Sequence, residues 1–174
     1  NNWIMEDKNG KIWKYDLAAE SCTCIKEYHA GAVNAVASSP IDHFSATAGE
    51  DGTVRCWDYI DQKCIYSKKF SNAATAIAWA PPSVDEKCRI LCAGFSGGVI
   101  RVIMRGKDEW KTTFVCKPHN KRVTGVTFSP NGKTICTRGE DNTIFFLKVV
   151  TGSDNKVRLE PTGLQQCSAN VLSI

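Results

Sequence analysis

The stretch "FSATAGEDGTVRCWD", residues 44–58, decides the fold. It reads as a short apolar strand, a tight turn at Asp51-Gly52, and a second strand ending in Trp57-Asp58. Asp-Gly between two runs that carry Val, Thr and aromatic residues is a strong hairpin signal. The stretch "KTICTRGEDNTIFFL", residues 133–147, has the same layout with Asp141-Asn142 at the turn. Upstream of each hairpin stands a matching lead-in, "HAGAVNAVASSP" from His29 to Pro40 and "HNKRVTGVTFSP" from His119 to Pro130. In both, His and Pro are eleven residues apart, and Val falls four and seven residues after the His.

Between these two copies lies a degenerate one. "FSNAATAIAWAP", Phe70 to Pro81, leads to "CRILCAGFSGGVIRVI", residues 88–103. A partial copy, "WIMEDKNGKIWKYD", occupies residues 3–16. The ends of the second strands align at Tyr15, Trp57, Ile103 and Leu147, in steps of 42, 46 and 44 residues. A period of about 40–45 residues with four strands per repeat is the sequence pattern of propeller blades. Runs such as "RILCAG" and "TIFFLKVV" are apolar on both faces. A blade covered by a neighbour on each side requires that, whereas a sandwich strand with one wet face alternates. An immunoglobulin-like sandwich is the competing reading, and it has no reason to repeat these spacings.

The sequence therefore predicts an all-β chain of three to four consecutive four-stranded antiparallel blades, forming an open arc and not a closed ring. The expected divisions are residues 1–28 for a partial blade, 29–70 for a blade with the full motif, 71–118 for a degenerate blade, 119–160 for another blade and 161–174 for the start of the next, with "ANVLSI" as its inner strand. An arc of this kind leaves apolar blade faces bare at both ends. The expectation is that residues 1–174 do not fold stably as an isolated monomer and that further blades of a parent chain complete the circle.

These residues resemble the WD-repeat family. His29, Thr47, Asp51, Trp57 and Asp58 match the family's His, Ser/Thr, turn Asp and terminal Trp-Asp, and the resemblance covers residues 3–150. It implies a buried hydrogen-bonded set that pins the inner strands of a blade. In the fourth repeat His119, Thr137 and Asp141 recur, but Leu147 and Lys148 replace Trp-Asp. In the third, Phe70 stands for the His and Gly97 for the turn Asp, so that blade is expected to cohere by packing alone. The lead-in of the third repeat, followed by "KPHNKRVTGVTFSPNGKTICTRGEDNTIFF", is similar to the cilia- and flagella-associated axonemal WD-repeat scaffolds, and among them to those that tether a dynein motor to the doublet microtubule. The resemblance implies protein partners, namely axonemal or dynein-associated subunits or tubulin, and a cytoplasmic location at the axoneme. The competing reading is a propeller scaffold of another cytoplasmic or nuclear complex, such as a ubiquitin-ligase substrate receptor or an RNA-processing factor. A further alternative is an enzyme that carries a propeller beside its catalytic domain.

Composition sets bounds on function. The formal net charge of +4 across 174 residues does not call for nucleic acid or an anionic membrane. Nine cysteines follow no disulfide or zinc spacing, and most stand singly in apolar runs, which suits buried thiols in a reducing compartment. No apolar run has the ~18 residues of a membrane span. His29, Thr47 and Asp51 have the residue types of a hydrolase triad, yet the repeat accounts for them without catalysis. "GFSGGV" joins two strands and precedes no helix, so it is read as a turn and not a phosphate loop. No catalytic residue, cofactor or metal site is expected.

One segment departs from the even charge. Residues 101–122 hold Arg101, Arg105, Lys107, Lys111, Lys117, Lys121 and Arg122 against Asp108 and Glu109, a local +5. Arg105, Lys107, Lys121 and Arg122 are candidates for binding an acidic partner such as a tubulin tail or nucleic acid. The alternative is a set of edge-strand cations that discourage sheet-to-sheet pairing. The blade topology puts Arg105 and Lys107 on one face and Lys121 and Arg122 on the other.

Overall fold

The computed structural model describes residues 2–7, 11–107, 109–152 and 156–169, and among them the regular structure is entirely β. The first sheet has three strands, β1 (Asn2–Glu6), β2 (Lys11–Asp16) and β3 (Ser21–Glu27). The second has four: β4 (Val33–Ser38), β5 (Phe44–Gly49), β6 (Thr53–Asp58) and β7 (Lys63–Lys69). The third contains β8 (Ala74–Trp79), β9 (Ile90–Phe95), β10 (Ile100–Arg105) and β11 (Trp110–Cys116). The fourth contains β12 (Val123–Phe128), β13 (Thr134–Gly139), β14 (Thr143–Thr151) and β15 (Val157–Gln166). Among the described residues every sheet is an antiparallel meander in sequence order and no sheet closes on another, an open arc of propeller blades.

The blades stack through their innermost strands, with β4 against one side of β8 and β12 against the other. The third sheet is therefore covered on both faces, and β9 shows the consequence residue by residue. Ile90 and Cys92 join an apolar cluster with Val123, Val126, Ile135 and Leu147 of the fourth sheet. Leu91 and Ala93, pointing the other way, join Ala46, Ala48, Val54 and Cys56 of the second. A period-2 strand with apolar residues at every position is what burial on both faces requires.

The hairpin turns at one end of the blades repeat a single geometry. Gly52, Gly98 and Asn142 have φ of 79°, 80° and 58°. The carbonyl of each accepts a hydrogen bond from the residue leaving the outermost strand: Phe70, His119 and Cys167 donate at 2.9, 3.3 and 2.8 Å. A Cβ at Gly98 would come within 2.0 Å of the His119 carbonyl oxygen, so only glycine fits there. At the opposite end, Asp16 and Asp58 cap equivalent turns. Asp16 accepts from the Ala18 and Ala19 N–H groups, and Asp58 from those of Ile60 and Asp61.

The fourth sheet corrects one boundary. β15 runs to Gln166 and pairs along β14 from Val157↔Thr151 to Gln166↔Thr143, so a division after residue 160 cuts this strand in half. Pro161 obscured it in the sequence. It sits where the register shifts at Phe146/Leu147, a position that tolerates a missing N–H. Apart from Ala169, the inner strand expected at "ANVLSI" lies outside the described residues.

Candidate functional site

Two clusters of polar side chains tie the loop entering a blade to its inner strands. In the second sheet, His29 approaches Thr47 of β5 through Nε2 at 2.7 Å, and Asp51 of the β5–β6 turn through Nδ1 at 3.2 Å. The Trp57 indole N–H on β6 donates to Thr47 Oγ1 at 2.9 Å. Thr53 Oγ1 donates to Asp51 Oδ1 at 2.7 Å and lies 2.8 Å from His29 Nδ1. One proton arrangement satisfies all of these contacts. His29 carries its proton on Nδ1 and donates toward the carboxylate, while Nε2 accepts from the Thr47 hydroxyl, which in turn accepts from Trp57. The side chains of His29 and Asp51 are each only 5% exposed, so an unmade bond here would leave a desolvated polar group.

The fourth sheet repeats the cluster. His119 Nε2 lies 3.0 Å from Thr137 Oγ1, and Nδ1 lies 3.1 Å from Asp141 Oδ1 and 2.9 Å from Thr143 Oγ1. Leu147 packs in the core where Trp57 stands in the second sheet. Thr53 and Thr143 were missed in the sequence reading as members of these clusters. The signal for them was the string Gly-Glu-Asp-x-Thr, present at residues 49–53 and 139–143. Its glycines are part of the device, because a Cβ at Gly49 would fall 2.2 Å from His29 Nδ1, and one at Gly139 would fall 2.6 Å from His119 Nδ1.

The two carboxylates are tuned alike. Burial pushes the Asp51 carboxyl up, but donors from the Thr53 side chain and backbone, the Ala30 N–H and His29 outweigh it and bring the group down to about 2. At Asp141, burial is likewise overcome by Thr143, the Asn120 N–H and His119, again down to about 2.

The Thr47–His29–Asp51 relay has the connectivity of a nucleophile, base and orienting acid. Its setting does not suit that work. Thr47 is mid-strand, paired to Val36 on one side and Arg55 on the other, so the adjacent backbone is engaged in the sheet and not aimed at a substrate oxygen. The duplicate threonine, Thr137, is fully buried. No group of three His, Cys, Asp or Glu that would hold a metal ion occurs among the described residues.

The third blade lacks the cluster, and the structure corrects the expectation that packing alone holds it. The Trp79 indole N–H donates to the Ala37 carbonyl in the second sheet at 2.9 Å. The Thr75 hydroxyl lies 2.6 Å from the Val123 carbonyl in the fourth and 3.1 Å from that of Gly94 in its own sheet. The innermost strand β8 is thus hydrogen-bonded to both neighbours.

The basic segment is divided in space. Ile100↔Cys116 and Arg105↔Trp110 are the two ends of the β10–β11 pairing, so Arg105 and Lys107 lie at one end of the blade, and Lys121 and Arg122, beyond Cys116, at the other. Arg105 bridges to Asp42 at 3.0 Å and lies over the Phe44 ring. Arg122 reaches Glu50 at 3.5 Å, Lys111 pairs with Glu109 at 2.6 Å, and Arg101 covers the rings of Phe70 and Phe95. Lys107 and Lys121 are exposed.

Blades, turn geometry and the repeated His–Thr–Asp cluster define a segment of a β-propeller of the WD-repeat kind. The chain carries WD repeats: the family described as "WD domain, G-beta repeat" matches residues 21–58 and 110–148. It is similar to cilia- and flagella-associated protein 44 of Mus musculus, with 32% identity over 168 residues, 86% of this chain and 9% of that protein. WD repeat-containing protein 90 of Homo sapiens is 26% identical over 156 residues, covering 88% of this chain and 9% of its own length. Cilia- and flagella-associated protein 44 of Trypanosoma brucei brucei is 25% identical over 176 residues, 94% of this chain and 10% of that protein. The chain spans about a tenth of the length of these curated relatives.

Proposed function

We propose that this chain is a non-catalytic interaction scaffold within a large ciliary or flagellar protein, and that it helps tether or position dynein complexes on the doublet microtubules of the axoneme. The observation that carries this reading is the similarity along 86% of the chain to a mammalian cilia- and flagella-associated protein. The fold supports the scaffold part, because rigid blades present short loops at two ends while the polar clusters are consumed in holding the strands. Protein partners meet those loops: axonemal subunits, dynein-associated subunits or tubulin. Neither membrane nor nucleic acid is among the proposed partners, and among the described residues no helix is long and apolar enough to cross a membrane. His29, Thr47, Asp51, Trp57, His119, Thr137 and Asp141 act as blade locks and not as a reactive site.

The test is fractionation and proximity labelling in ciliated cells that carry a tagged copy of the protein. Retention on detergent-extracted axonemes, with dynein heavy chains among the labelled neighbours, is the expected result. Enrichment instead with ribosomal, RNA-processing or ubiquitin-ligase subunits overturns the axonemal assignment.

A further inference from the structure

The geometry points to a peptide-binding groove between the outer strands of the second and third blades, with an acidic segment that carries one large apolar side chain as its ligand. This inference rests on the scaffold reading above and names a docking site for it. The groove encloses about 700 Å³ and is lined by Ile65, Lys87, Arg89, Arg105, Lys107 and Trp110, with Gly106 and Glu109 at its rim. That volume lies within the range of about 300–1,000 Å³ common for ligand sites, and it suits a few residues of extended chain.

Its cations are of two kinds. Arg89 is clamped by Asp85 through two bonds of 3.1 and 2.6 Å, and Arg105 by Asp42 at 3.0 Å. These pairs fix the guanidinium groups in place and cancel most of their charge. Lys87 and Lys107 are exposed, and Lys87 adds to the Arg89 hydrogen bonds and positive field that lower the Asp85 carboxyl. Glu109, the acid at the rim, is engaged by Lys111 at 2.6 Å. The mouth thus presents two exposed ammonium groups on different loops, Lys87 between β8 and β9 and Lys107 between β10 and β11. Two spaced carboxylates of one peptide complement that pattern.

The wall is apolar and rigid. Ile65 is the extra residue where β7 bulges opposite Cys56/Trp57, and it remains 39% exposed. Trp110 is stacked on Tyr66 at 4.7 Å and meets Trp79 edge-on at 6.4 Å, so its ring is held before any ligand arrives. A fixed aromatic beside an exposed aliphatic forms a pocket for one large apolar side chain, the usual anchor of a short docking peptide. A polyanion such as nucleic acid fits less well, because its binding draws on many cations along a continuous track, and here the exposed lysines are two, on separate loops.

The experiment uses the full protein that carries this chain and a fluorescein-labelled Glu-Glu-Glu-Phe-Glu-Glu-Glu peptide, read by fluorescence anisotropy. The unsubstituted protein binds it. Lys87→Glu with Lys107→Glu weakens binding by roughly tenfold or more, as expected when interfacial attractions become repulsions. Lys87→Gln with Lys107→Gln weakens it by a smaller factor and guards against a folding defect in the charge-reversed variant. Lys148→Glu, on an exposed position of β14, leaves binding unchanged. Replacing the peptide's Phe by Ser also weakens binding. Binding unaffected by either lysine pair overturns the groove, as does a failure of the peptide to bind or a preference for a thymidine dodecamer over the peptide. Axonemal retention, measured in parallel, separates the two claims. Retention without peptide binding overturns the groove alone, and loss of retention by the unsubstituted protein overturns the scaffold reading.

Discussion

Phe70 and Phe95 meet ring to ring at 4.9 Å, tilted 64°, in the space that the second and fourth blades give to a histidine and its carboxylate. The exchange is concerted. Phe70 stands at the position of His29 and His119, and Phe95 pairs with Ala74 as Gly49 pairs with Val33 and Gly139 with Val123. Where the lock needs a glycine to make room for an imidazole, the third blade fills the same room with a ring.

This exchange predicts that neither partner works alone. Phe95→Ala removes a buried ring and is expected to cost ~3–5 kcal/mol, the usual scale for an aromatic-to-alanine change in a core. Phe70→His is expected to destabilise by ~1–3 kcal/mol, because Gly97 offers the new imidazole no carboxylate and its polar nitrogens are left unpaired. Denaturant unfolding of the protein carrying each substitution measures both. A stabilising Phe70→His would show that the ring pair does not replace the lock.

The glycines of the lock make a sharper prediction. A Cβ at Gly49 would lie 2.2 Å from His29 Nδ1 and 2.5 Å from Asp51 Oδ1, both on buried side chains that have nowhere to move. Gly49→Ala should cost ~1–3 kcal/mol by overpacking. The control is Gly163→Ala, where the nearest atom, on Phe146, is 3.5 Å away, an ordinary contact. That change is expected to stay within ~0.5 kcal/mol, as for an unconstrained surface site. Equal losses at the two glycines, measured by the same unfolding curves, would count against the steric account.

The two lowered carboxylates predict a limb in the pH–stability curve. Asp51 and Asp141 are held at about 2 in the folded chain, against an ordinary value of 3.8. The unfolded chain therefore binds more protons between those values, and stability rises with pH across that window. The contribution is complete above pH ~4 and is lost as pH falls through about 2. Allowing for solvent screening, each carboxylate accounts for about 1 kcal/mol. Asp51→Asn combined with Asp141→Asn should lower stability at pH 7 and flatten the curve between pH 4 and 2. An unchanged slope there would assign the acid sensitivity to other carboxylates.

Much of this fold was legible because repetition multiplies weak signals. The Asp-Gly turn at 51–52 alone suggests a hairpin, but its recurrence with His and Pro eleven residues apart defines a blade. The alternating two-sided burial of Ile90 to Ala93 also left its mark, as apolar residues at consecutive positions. Other features left little. The bonds from Trp79 and Thr75 to neighbouring blades end on backbone carbonyls, which carry no residue identity in the sequence. The groove beside Ile65 joins residues from β7, the β8–β9 loop and the β10–β11 loop, more than forty positions apart at its extremes, so no local string announces it. The basic run at 101–122 is contiguous only in sequence, since the antiparallel β10–β11 pair sends its charges to opposite ends of the blade, the division that the repeat pattern already implied.

Trp79 offers the clearest separation of packing from hydrogen bonding. Its indole is 7% exposed, packs among the apolar residues shared by the second and third blades, and donates to the Ala37 carbonyl across the gap. Trp79→Ala removes both contributions and should cost ~3–5 kcal/mol in the intact protein. Trp79→Phe retains most of the apolar contact and leaves the Ala37 carbonyl without its donor. Its cost should be ~1–2 kcal/mol, the scale for a lost hydrogen bond plus a small volume deficit. The ordering follows from the position of β8. An inner strand that touches β4 on one side and β12 on the other transmits its loss to two interfaces, so the alanine variant should also broaden the unfolding transition as the second blade uncouples from the third. Chemical denaturation followed by tryptophan fluorescence and by far-ultraviolet circular dichroism reads both effects. A Trp79→Ala cost under ~1 kcal/mol, with the two probes still coincident, would remove Trp79 from the contacts that hold the arc together.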